Sequence, residues 1–221
     1  MDEYLGATWF LDRDSPAVVE LARATTRGAS SDLDRAVRLY YAIRDDIRYD
    51  PYAASDDPGA YRASTVAGAP SAFCIQKAIL MAASGRALGI PTRLGYADVR
   101  NHLTSAKLRA TMGSDLFVWH GFTELWLDGK WVKATPVFNS SLCERFGVLP
   151  LDFDGTSDAI LHPFDAAGRR HMEYVREHGS FADFPYDRLM AAFRETYPGF
   201  FDKTRAAREP DQAFDPERPP G

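Results

Sequence analysis

Ala72-Phe73-Cys74-Ile75-Gln76-Lys77-Ala78 leads into a segment that ends at Ala87-Leu88-Gly89-Ile90-Pro91. Ile75, Ile79, Leu80, Ala83 and Leu88 fall on one broad apolar face at helical spacing. Gly89 is the expected C-terminal stop, and Pro91 prevents continuation. With Ser71 as N-cap, Cys74 is expected at the third helical position. Unpaired N–H groups and the helix dipole there favour a thiolate, the nucleophilic form of sulfur. Lys77, one turn further on, reads as a solvated surface lysine that lies near the sulfur.

Upstream, Ser15-Pro16 opens a helix that Gly28 closes, and Ser31-Asp32 opens a second with Ala36, Leu39, Tyr40 and Ile43 on one stripe. Asp46-Ile47-Arg48-Tyr49 is a short extended exit, and residues 51–70 are expected to be irregular. Downstream, residues 92–99 alternate like a strand, and residues 104–112 read as a short helix closed by Gly113. Leu116 to Leu127 is a long strand rich in aromatic and β-branched residues. Asp128-Gly129 is a two-residue hairpin turn, and Lys130 to Ala134 returns as the partner strand. Helices are expected at 142–146, 165–176 and 186–196. Helices first, then an antiparallel sheet, then helices again make an α+β domain over 1–202, followed by a mobile charged, proline-rich tail over 203–221.

The 221 residues suffice for a substantial core. A net charge of −5 without basic runs argues against nucleic acid and anionic membranes as partners. No apolar run reaches the roughly 20 residues that span a bilayer. The first residues lack the cationic and apolar regions of a signal peptide, so the expected address is the cytoplasm, with Cys74 and Cys143 reduced.

A cysteine on a helix, Arg86-Ala87-Leu88-Gly89-Ile90-Pro91-Thr92-Arg93, a strand histidine in Trp119-His120-Gly121-Phe122-Thr123-Glu124 and Leu127-Asp128-Gly129-Lys130-Trp131-Val132 together resemble the transglutaminase-like superfamily. The resemblance covers roughly residues 35–140 and implies a core shared with papain-like cysteine proteases. It also implies a Cys74 nucleophile, a His120 base, and an aspartate on the next strand. That family aspartate usually sits in an Asp-Pro step, which here reads Thr135-Pro136. A turn at 128–129 sets Phe122 opposite Thr135, so Thr135 lies diagonal to His120 on one sheet face. A hydroxyl orients an imidazole but offers no full charge, and losing the carboxylate from a triad costs about 10⁴ in turnover. Asn139, and Asp98 or Asn101, are further candidates for the third position, and Glu124 reads as the cross-strand partner of Lys133.

These features point to cysteine-dependent acyl transfer or hydrolysis at an amide, on a peptide or small-molecule substrate and with no cofactor. Two other readings stay open. One is an enzyme acting on a small carboxylate-bearing metabolite, with Asp98, Arg100, Asn101 and His102 forming the pocket and Arg100 pairing the acid. The other is a silent binding module in which Cys74 only packs. Trp119 is expected to wall the cleft. No metal is expected, because no ligand cluster has a recognised spacing. His162, His171 and His178 are expected to face solvent, and Cys143 to pack.

Overall fold

The computed structural model describes residues 1–102, 105–161 and 164–207. Helices α1 (Pro16–Thr25) and α2 (Asp32–Asp46) start where serine caps were expected: Ser15 accepts from the Val18 amide and Ser31 from the Asp34 amide. Strand β1 (Arg48–Tyr49) follows. Two short 3₁₀ turns at 51–53 and 58–61 and helix α3 (Ala63–Ala67) then give order to the stretch expected to be irregular. Strand β2 (Ser71–Ala72) pairs in parallel with β1.

That pairing corrects the start of the key helix. Ladder contacts with Arg48 and Tyr49 hold Ser71 and Ala72 extended, so Ser71 is not a cap. Helix α4 runs Cys74–Ala87 with Phe73 as N-cap, and Cys74 is its first residue rather than its third. Gln76 replaces the serine: its Oε1 accepts from the Phe73 amide (2.7 Å), and its Nε2 donates to the carbonyls of Ala53 and Ala60. Residues 74–86 are all buried, which makes α4 the axis of the core rather than an amphipathic surface helix. Helices α1, α2 and α3 pack on one side of it and the sheet on the other.

Strand β3 (Thr92–Asn101) leaves α4 through Gly89, and helix α5 (Ala106–Met112) ends at Gly113 in the left-handed region. Strands β4 (Leu116–Leu127) and β5 (Lys130–Ala134) form the hairpin in the expected register, with Leu127 opposite Lys130. Helix α6 (Ser140–Phe146) follows, then β6 (Met172–Phe181), α7 (Tyr186–Thr196) and α8 (Phe200–Ala207). The sheet is antiparallel with order β5-β4-β3-β6.

Four expectations are corrected. The helix at 165–176 is absent; residues 172–181 form an edge strand whose mostly exposed polar residues gave little apolar alternation. Residues 203–207 belong to α8 and are not tail, because buried Phe200 and Phe201 anchor that helix; residues 208–221 lie outside the described residues. Lys77 is fully buried, and its Nζ donates to the carbonyls of Arg44, Ile47 and Val137 at 2.7–2.9 Å. Glu124 faces Lys133 in register but pairs with Arg93 (2.8 Å) and Ser180, while Lys133 reaches Glu177.

Candidate active site

Cys74 and His120 line one cavity of about 10 Å³, roughly the space of a single water. Its other walls come from distant parts of the chain: Leu108 and Met112 of α5, Phe117 of β4, Tyr197 after α7, and Phe200 of α8. The sulfur sits at the N-terminus of α4. Burial dominates its ionisation and pushes the thiol up to about 12, while the backbone N–H groups of Gly121, Ile75 and Cys74 and the charge of Lys77 pull the other way. The expected resting thiolate is therefore corrected. The helix terminus is present, but desolvation outweighs it, and the closed site holds a neutral thiol.

His120 owes its orientation to a bulge. Ala97 pairs with His120 and Val99 with Phe117, so β4 carries one extra residue between them. Trp119 takes φ +56°, a left-handed conformation costly for a bulky side chain. Asp98 stabilises it by accepting from the Trp119 amide (3.0 Å) and from His178 Nε2 (2.6 Å). The His178 ring stacks on the Trp119 indole at 4.3 Å between centroids. The bulge turns Phe117 and His120 onto one face, where both enter the cavity. Burial alone lowers the imidazole to about 4, so it is neutral too, and its Nε2 has no hydrogen-bond partner.

Thr135 follows the end of β5, one residue past the last ladder pair of Thr123 with Ala134. It is buried, its hydroxyl lacks a hydrogen bond of good geometry, and its polar neighbour is the Tyr174 phenol. The imidazole Nε2 and the Thr135 hydroxyl are thus both buried without a hydrogen bond of good geometry. Buried groups of this kind ordinarily find a partner in protein or water.

The remaining candidates are dispersed. Asn139 is the N-cap residue of α6; its Oδ1 accepts from the Tyr49 amide and its Nδ2 donates to Ser141, so both ends are engaged away from His120. Arg100 pairs with Asp115 (3.5 Å) and His102 with Glu173 (3.3 Å). Trp119 packs on His178 and lines neither cavity described here. Asn101 lines a second, larger cavity beside His120. His171 and His178 are largely buried, which corrects their expected exposure; His162 lies outside the described residues. The His178–Asp98 pair was missed because β6 was read as helix. Cys74 and Cys143 are both free thiols. Among the described residues no group of three His, Cys, Asp or Glu side chains is arranged to hold a metal, and no helix is long and apolar enough to cross a membrane.

A helix-borne cysteine and a strand-borne histidine that line one cavity beside an antiparallel sheet define an α+β cysteine–histidine scaffold. The sequence model of the transglutaminase-like superfamily matches residues 19–136, more than half of the chain, and the chain belongs to that superfamily. None of the curated proteins matches it. Among solved structures it is similar to a candidate cysteine protease from Cytophaga hutchinsonii, with 15% identity over 79% of this chain and 53% of that one and a TM-score of 0.47. It is also similar to a candidate protease from Parabacteroides distasonis, with 14% identity over 57% of this chain and 25% of that one and a TM-score of 0.39. The chain spans about half the length of the first and a quarter of the second.

Proposed function

We propose that this protein is a cysteine-dependent enzyme that hydrolyses or transfers an acyl group at an amide of a peptide or small molecule. The observation that carries this reading is the shared cavity of Cys74 and His120 at the first turn of α4. Because both groups rest neutral, His120 takes the thiol proton as the sulfur attacks the carbonyl carbon, instead of holding a standing ion pair. The carbonyl π electrons move to oxygen, and helix-terminal N–H groups face the resulting anion. The imidazolium then protonates the leaving nitrogen, the C–N bond breaks, and a thioester remains. Water or an amine, deprotonated by His120, attacks the thioester and releases the acyl group; the thiolate regains its proton.

In this reading Thr135 orients the imidazole where the superfamily more often has a carboxylate. A hydroxyl stabilises the imidazolium less, consistent with a slow enzyme. Product profiling with peptide and N-substituted amide libraries tests the activity, with intact-mass detection of an acyl adduct. The wild type is expected to form an adduct on the Cys74 peptide, while Cys74→Ala forms none and His120→Gln loses at least about 10²-fold in rate. Turnover that survives in Cys74→Ala refutes the reading.

A further inference from the structure

Beside the thiol cavity lies a second one of about 60 Å³, and His120, Leu108 and Phe117 line both. At roughly 10–15 Å³ per water-sized probe, it has room for about four to six waters, comparable to one aromatic ring or a short branched chain. Val99, Phe117, Phe138, Leu142, Phe146 and Met172 supply its apolar walls. Its polar lining consists of uncharged or titratable groups such as Asn101, Ser105 and His171, and among the described residues no Asp, Glu, Lys or Arg lines it. His171 stacks on Phe138 at 22° between rings, which flattens that wall.

We infer that this cavity receives the substituent on the scissile nitrogen and selects an uncharged aromatic or branched alkyl group there. The inference rests on the acyl-transfer reading and names its substrate class. Direction follows from the proton path. The imidazole that protonates the leaving nitrogen must lie within hydrogen-bond reach of it. That nitrogen's substituent therefore projects past His120, and the space past His120 is this cavity. Selection follows from the lining: an apolar ring replaces loosely held water, whereas an ionised group finds mostly apolar walls and no Asp, Glu, Lys or Arg among the described lining residues to pair with. The cavity also disfavours the carboxylate-metabolite reading, since Arg100 is paired with Asp115 and is not among the lining residues.

Binding to the Cys74→Ala protein tests the pocket independently of turnover. The probes are N-benzylacetamide and its 4-carboxylate analogue, titrated by NMR. The neutral probe is expected to bind at least tenfold more tightly. Leu142→Trp, which fills the cavity from a half-buried position, is expected to abolish the difference. Phe146→Ala, a milder change in the same wall, is expected to weaken the neutral probe several-fold. Equal binding of the two probes, or a preference that survives both variants, overturns the inference. Failure of the acyl-transfer reading shows separately, as wild-type protein that binds the neutral probe but never forms an adduct on Cys74.

Discussion

Lys77 donates to three backbone carbonyls, from the end of α2, from the residue before β1 and from the segment after β5. Burial presses this amine down to about 7, yet the three acceptors match the three N–H bonds of an ammonium. A neutral amine would turn its lone pair toward one of them, so the geometry favours the charged form. Lys77→Met leaves those carbonyls unpaired and is expected to lower unfolding free energy by about 3 kcal/mol or more, read from urea melts. His120 gives a pH signature. Its folded value near 4 lies below the ordinary 6.5, so the unfolded chain takes up the proton first as pH falls. Its stabilisation is full above about pH 6.5 and lost toward pH 4, by about 3 kcal/mol; His120→Gln should flatten that slope in thermal melts. Thr135→Val should cost roughly fivefold in kcat with little change in KM, the worth of about one neutral hydrogen bond. That Cys74 and His120 come to one cavity was legible from the motif, and that Thr135 follows the partner strand was legible from the hairpin register, because both signals are local. The burial of Lys77 was not, because its acceptors come from three separate stretches of chain.

At the scale of elements, the contact of α4 with β4 fixes where sulfur meets imidazole. Gly121 follows His120, and a Cβ added there would stand 3.1 Å from Ile75 Cα, on the residue next to Cys74. Gly121→Ala therefore requires the start of α4 to give way by a few tenths of an ångström. The expected result is about 1–2 kcal/mol of lost stability and a proportionally larger loss of kcat/KM, from combined melts and kinetics. The hairpin was readable to the residue because Asp128-Gly129 dictates its turn, and Asp128 and Gly129 both take positive φ. The bulge at Trp119 was not, since it depends on Asp98 and His178 arriving from two other strands. The N-terminus of α4 was misplaced because pairing of Ser71 with β1 overrode a good capping residue.

Across the whole molecule, α5, the residue after α7 and α8 converge on the thiol, so the last described helix closes a cavity whose cysteine lies in the first half of the chain. Phe200→Ala is expected to open that wall, speeding iodoacetamide labelling of Cys74 at least about tenfold while costing about 3 kcal/mol of stability. The helical character of residues 200–207 escaped a reading by composition, because Phe200 and Phe201 gain their value only by docking over a distant cavity. The same closure bears on chemical durability. Peroxide attacks thiolates that solvent can reach, and burial both shields this sulfur from bulk solvent and pushes its thiol up to about 12. Between turnovers the protein should thus survive hydrogen peroxide at concentrations that convert an open, acidic cysteine to sulfinic acid. Vulnerability should return when substrate holds the walls apart, and mass spectrometry of the Cys74 peptide would register the difference.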